Sequence, residues 1–159
     1  KMEEAPDQFR IEPIDLGNIV SEVSDEFEAA LQREEMKIIN HVPGQAVMNG
    51  NRSLMYAVIR NLVENSVKYA GKGAEIHIEA SRHVSHLELT YYDTGIGVSE
   101  FQLKRIFERF YSIPGKPGST EGSGLGLSIV RNAVAFHKGT ISASVRKEGG
   151  LRFDMEFRR

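Results

Sequence analysis

Apolar residues recur along this chain with two periods, and the switches between them lay out its elements. After the extended run Phe9-Arg10-Ile11-Glu12, stopped by Pro13, Leu16, Ile19, Val20, Val23, Phe27 and Leu31 fall at three- and four-residue spacing. That spacing predicts a helix capped by Asp15. Residues 36–42 and 45–50, parted by Pro43-Gly44, predict two strands around a turn. A second helix, capped by Asn51 or Ser53, carries Met55, Val58, Ile59, Leu62, Val63 and Ser66 on one broad face. Asn61, Asn65 and Lys68 form a stripe on the opposite side.

Residues 75–80 and 86–93 alternate apolar and polar side chains, as half-buried antiparallel strands do. Asp93 shares parity with Leu87, Leu89 and Tyr91, which predicts a carboxylate at the inner end of an apolar strand, where it needs a donor. A third helix spans residues 127–138 and stops at Gly139. Residues 140–145 and 151–157 predict a hairpin with Ile141, Ala143, Val145, Leu151, Phe153, Met155 and Phe157 facing inward. Three helices set among antiparallel hairpins argue for an α+β class, a two-layer α/β sandwich with a mixed, mostly antiparallel sheet on three helices.

Composition narrows the function. With 159 residues, 40% of them hydrophobic, the chain is expected to be one domain over residues 1–159. A net charge of −2 and scattered Lys and Arg give no basic field, so no nucleic acid is expected as partner. The absence of cysteine excludes disulfides and thiolate metal sites and suits a reducing cytoplasm. No apolar run approaches the roughly 20 residues that span a bilayer, so the expected place is the cytoplasm, with a membrane anchor in a longer parent still allowed.

The candidate chemistry lies in four ordered strings: NLVENSVKY (61–69), DTGIG (93–97), FERFYS (107–112) and GSGLGLSIV (122–130). The glycine-rich string is neither a Walker loop, since Leu127 and Ser128 follow Gly126, nor a dinucleotide fingerprint, since its spacing is G-x-G-x-G. Gly122, Gly124 and Gly126 nevertheless let backbone amides approach an anion, and the following helix adds its positive N-terminus.

In this order the four strings resemble the N box, first glycine box, F box and second glycine box of the catalytic ATP-binding domain of sensor histidine kinases. That domain belongs to a superfamily shared with gyrase-type, chaperone and mismatch-repair ATPases. The resemblance implies the Bergerat-type fold, ATP and Mg2+ as cofactors, and a mobile ATP lid over residues 98–121. It implies that Asn65 holds Mg2+ through its amide oxygen, with Asn61 beside it and Lys68 on phosphate oxygens; these three are the expected catalytic residues. Tyr69 would pack near the base or ribose, and Asp93 would accept the adenine amino hydrogen. Gly95 and Gly97 would pass close to the purine, while Gly122, Ser123, Gly124, Leu125, Gly126 and Leu127 would line the phosphates. Arg109 and Lys116 would reach those phosphates from the lid, where residues 99–112 have helical spacing with Phe101, Ile106, Phe107 and Phe110 able to bury a face.

In the gyrase-type relatives a glutamate that activates water stands where this chain has Asn61, and an amide cannot be a general base. Glu64 lies about 100° around the helix from Asn65. The resemblance therefore implies transfer to a protein acceptor. None of the five histidines (His41, His77, His83, His86, His137) lies in an H box of the type H-E-x-R-T-P, and His137 falls at a helix end, where the helix dipole accounts for it. The expected partners are the dimerisation and histidine-phosphotransfer domain of the same kinase and the receiver domain of a response regulator. Residues 1–8 read as the remnant of a linker after the dimerisation helices, which leaves a monomeric domain. An anti-sigma-factor serine kinase and a nucleotide-sensing module without transfer activity are the alternatives.

Overall fold

The computed structural model describes residues 9–109, 111 and 126–159. Strand β1 (Glu12–Asp15) leads into helices α1 (Leu16–Glu26) and α2 (Glu28–Arg33). Asp15 caps α1, its Oδ1 accepting the Asn18 N–H at 3.2 Å. The first helix is divided at Phe27 (φ −97°, ψ 10°) yet keeps its apolar stripe, with Leu16, Ile19, Val20, Val23, Phe27 and Leu31 all buried. Pro13 does not stop the extended segment. It lies within β1, a strand with a free edge where the missing N–H costs no ladder bond.

The strands β2 (Lys37–His41) and β3 (Val47–Gly50) form as expected but part company at the turn. β3 pairs antiparallel with β1, bringing Ile14 opposite Met48, both buried. β2 runs parallel to β4 (Glu75–Arg82) in a separate sheet. A parallel pair needs a long crossover, and α3 (Arg52–Tyr69) lies in the connection between the two.

The five-stranded main sheet has the order β2-β4-β5-β7-β6, where β5 is His86–Asp93, β6 Thr140–Val145 and β7 Leu151–Arg158. All pairs but β2-β4 are antiparallel. Leu87, Leu89 and Tyr91 of β5 and Leu151, Phe153, Met155 and Phe157 of β7 join Val58, Ile59, Leu62 and Val63 of α3 and Val130, Ala133 and Val134 of α5 (Gly126–Phe136) in one core. The fold is thus the two-layer α+β sandwich that the sequence pattern predicts. Val145 departs from its expected inward place at 38% exposed, because β6 is the edge strand and its end has a neighbour on one side only.

The segment from Ser99 is helical only over α4 (Glu100–Leu103). A capping box opens it, with Ser99 Oγ accepting the Gln102 N–H and Gln102 Oε1 accepting the Ser99 N–H. Phe101 is not part of the buried face, at 67% exposed, whereas Ile106 is buried and Phe107 packs edge-on against Phe153 at 6.0 Å. Phe110 lies outside the described residues. Among the described residues no helix is long and apolar enough to cross a membrane.

Candidate functional site

Asp93 ends β5 on the face that its parity predicts, and only 4% of it is exposed. A buried carboxylate requires donors in place of water. Its Oδ2 accepts from Ser66 Oγ at 2.8 Å, and its Oδ1 accepts the N–H of Gly95 at 3.0 Å and of Leu151 at 3.3 Å. Asp93 is therefore both the buried strand-end carboxylate and the turn-forming residue of the D-x-G sequence. Oδ2 holds one donor where a carboxylate oxygen can accept two.

This carboxylate forms one wall of a pocket lined by Asn65, Tyr69, Ala70, Asp93, Gly97, Val98 and Leu151. Two glycines shape the turn that follows Asp93 for different reasons. A Cβ on Gly95 would lie 2.2 Å from the Ala70 carbonyl oxygen, so Gly95 is required by the close passage of the chain over the end of α3, where Ile96 N–H donates to Ala70 O. Gly97 has φ +71°, a backbone conformation that side chains disfavour, and itself lines the pocket.

The polar stripe of α3 leads away from this pocket. Asn65 is only about 20° from Val58 around the helix axis, so this residue flanks the apolar face, while Asn61 and Lys68 stand farther round on the opposing side. That corrected placement lets Asn65 share a pocket with a residue buried in the core. One turn earlier, Asn61 Nδ2 donates to the Ala57 carbonyl at 2.7 Å, which turns its Oδ1 toward α5. A Cβ on Gly126 would lie 3.1 Å from that oxygen. Asn61 thus sits against the first residue of an 11-residue helix, where unpaired backbone N–H groups favour an anion. Lys68 stands 3.9 Å from Glu64, whose carboxylate is also 3.6 Å from Arg60.

The remaining expected residues are scattered. Arg109 is exposed, and the Leu127 side chain is buried in the core. Lys116, Gly122, Ser123, Gly124 and Leu125 lie outside the described residues, as do residue 110 and residues 112–121 of the expected lid. His137 has a role other than the dipole contact expected of it. Its Nε2 accepts the Asn51 N–H at 2.9 Å and its Nδ1 donates to Ala133 O at 2.7 Å, so the neutral ring ties the end of α5 to the start of α3.

Ala70, Val98 and Leu151 line the pocket although none is among the expected site residues, Val98 being read only as the start of the lid and Leu151 only as core. Ser66 gave a signal: it is the one hydroxyl among the apolar residues of its helix face, and it holds Asp93. Gly150 gave another as half of a glycine pair. At φ +101° it passes so close to Asp93 that a Cβ would meet the Asp93 carbonyl.

Comparison with known proteins agrees with this arrangement. The family profile described as "Histidine kinase-, DNA gyrase B-, and HSP90-like ATPase" matches residues 50–159, which include all four strings. The chain is 32% identical over 145 residues to the signal transduction histidine-protein kinase BaeS of Escherichia coli (strain K12). That match takes in 91% of this chain and 31% of BaeS, so the chain spans about a third of the curated relative's length. In fold it is similar to the catalytic domain of histidine kinase ThkA, with TM-score 0.81 and 22% identity over 94% of this chain and 95% of that one. A structure of ThkA in complex with the response regulator protein TrrA matches with TM-score 0.76 and 20% identity over 94% of this chain and 42% of that one. With the buried strand-end carboxylate, the amide-bearing helix and the glycine-started helix in one place, and a profile that covers all three, the chain belongs to the family of histidine kinase-, DNA gyrase B- and HSP90-like ATPases.

Proposed function

We propose that this chain is the ATP-binding catalytic domain of a sensor histidine kinase, donating the γ-phosphoryl group of Mg-ATP to a histidine on the dimerisation domain of the same kinase. The observation that carries this reading is Asp93, a buried carboxylate whose Oδ2 has one acceptor position left at the wall of the pocket. An exocyclic amine completes it; the keto oxygen of guanine, an acceptor, would face an acceptor. Tyr69 and Gly97 flank the base, and Asn65 and, one turn earlier, Asn61 lead from it toward Gly126, where the triphosphate would meet the N-terminus of α5, with Lys68 one turn beyond Asn65 on the same helix.

The donor set fits magnesium. Asn65 and Asn61 offer neutral amide oxygens, and a hard cation that keeps several waters can take its compensating charge from the triphosphate. When bound, the ion would screen the phosphate charge. In the transfer, the bond from γ-phosphorus to the ADP oxygen breaks, a bond from phosphorus to an imidazole nitrogen forms, and the imidazole loses its proton. The chain's own share is positioning and charge neutralisation. The phosphoryl group would pass next to an aspartate on a response regulator, the type of partner that accompanies ThkA in its complex. The assignments of residues 98–121 to a lid and of residues 1–8 to a linker belong to the same proposal, as does the cytoplasmic setting.

The test is to mix the chain with the dimerisation helices of its parent, Mg2+ and γ-labelled nucleotide. ATP should leave acid-labile label on a histidine, and GTP much less. Label on a hydroxyl would instead support the serine-kinase reading. Equal melting-temperature shifts by ATP and GTP would remove the role given to Asp93.

A further inference from the structure

At the end of β5 farthest from Asp93, roughly 23 Å away at about 3.3 Å per residue, the β4-β5 turn gathers a second set of ligand-bearing side chains. His83, His86 and Glu88 each present one ligand atom, all within 4.8 Å of one another. We infer that this turn is a surface binding site for a borderline divalent transition ion, of the zinc, nickel or cobalt kind, held by His83, His86 and Glu88.

The backbone sets the geometry. His83 N–H donates to His86 O at 2.8 Å and closes the turn, so the two imidazoles stack with centroids 4.5 Å apart and planes 13° from parallel. Glu88, two residues beyond His86, projects to the same face of β5. Both Nε2 atoms face its carboxylate, His83 Nε2 at 2.9 Å from Oε1 and His86 Nε2 at 3.9 Å from Oε2. Ligand atoms about 2.0–2.1 Å from a tetrahedral ion stand roughly 3.4 Å apart, a value that lies between these two separations. Arg159 braces the turn from behind, its N–H donating to Ser85 O and its Nη1 to His83 O.

Charge acts on the turn in both senses, since His86 lies directly across the ladder from the cationic Arg158. Glu88 lies directly across the ladder from Glu156. Like charges in that position repel, and a bound cation would relieve the repulsion. Two imidazoles select a borderline ion over magnesium or calcium, which prefer an all-oxygen shell. Three protein ligands leave a fourth position open for water or for a ligand from another molecule.

Zinc titration of the chain in competition with a chromogenic chelator should show one equivalent taken up, at free metal on the order of micromolar, with excess Mg2+ failing to compete. His83→Ala and His86→Ala should each weaken uptake about tenfold or more, since loss of even an outer-shell partner has that effect. Glu88→Gln, which keeps a hydrogen-bond acceptor for the rings, should weaken it too, and His41→Ala should leave it unchanged. Cobalt in place of zinc should give a visible ligand-field band that the His86→Ala variant lacks. Unchanged zinc affinity in both His86→Ala and Glu88→Gln, or no uptake by the wild-type chain, would overturn the site.

Discussion

A carboxylate placed inside an apolar core holds its charge only if fixed donors replace its water, and at Asp93 those donors come from three parts of the chain: Ser66 of α3, Gly95 of the following turn and Leu151 of β7. Ser66 has the further neighbour Tyr91 Oη at 2.6 Å, which also donates to Leu62 O. Ser66→Ala leaves Oδ2 without its donor and should cost about 1–3 kcal/mol in urea unfolding, with weaker ATP binding. Unchanged values in both would show that Ser66 does not hold Asp93. Burial pushes the Tyr91 hydroxyl well above its ordinary value of 10.0. The folded chain therefore keeps this proton where the unfolded chain loses it. The resulting stability is fully present below about pH 10 and declines as pH rises beyond it. Tyr91→Phe should flatten that alkaline decline in unfolding free energy, and an unaltered slope would refute the linkage. Asp93 was legible in the sequence because period-2 parity fixes which way a strand residue faces. The serine that holds it stood out only as the one hydroxyl on an apolar helix face, since its partner is 27 residues distant and no local pattern encodes that distance.

Between elements, the joint of α1 with α3 is polar where it meets solvent. Glu26 accepts from Tyr56 Oη at 2.6 Å and Arg60 Nε at 2.9 Å, Arg52 pairs with Glu22, and the Arg60 guanidinium lies over the Phe27 ring. The Tyr56 hydroxyl bond, helped by Arg60 and opposed by partial burial, holds the Glu26 carboxyl below its ordinary value. A depressed carboxyl stabilises the fold above its unfolded pKa, and that contribution is lost as pH falls through the folded value. Solvent screening at these exposed side chains limits it to roughly a few tenths of a kcal/mol. Glu26→Gln should make the acid limb of stability slightly shallower with little change near neutrality, a difference measurable by chemical unfolding across pH. A steeper acid limb would contradict the assignment. Helix caps such as Asp15 and Asn51 were readable because a cap bonds within three residues of itself. Strand partners were not: the turn at Pro43-Gly44 suggests neighbours, yet β2 and β3 find their partners in different sheets. The helical spacing after Ser99 likewise outlasts α4, because Ile106 and Phe107 reach the core through a turn that periodicity cannot distinguish from a longer helix.

For the molecule as a whole, the proposed division of labour puts the nucleotide on this chain and the nucleophile on another, and that division depends on the absence of a base able to activate water near the phosphates. On the proposed reading Asn61 would stand where gyrase-type relatives carry glutamate, and its amide is committed to Ala57 on one side and faces Gly126 on the other. Glu64 is the nearest carboxylate in sequence. It lies between Arg60 and Lys68, in ion pairs along the surface of α3, and it is not among the residues that line the Asp93 pocket. ATP hydrolysis by the isolated chain should accordingly be slow, and Glu64→Gln should leave it within about twofold of wild type, whereas loss of a true general base costs about a hundredfold or more. Phosphate release measured under saturating Mg-ATP decides between them. A hundredfold fall would make Glu64 the base and turn the reading from phosphoryl donor to hydrolase. An unchanged rate, alongside label transferred to a partner's histidine, would place the acceptor outside this chain, as Asn61 implies.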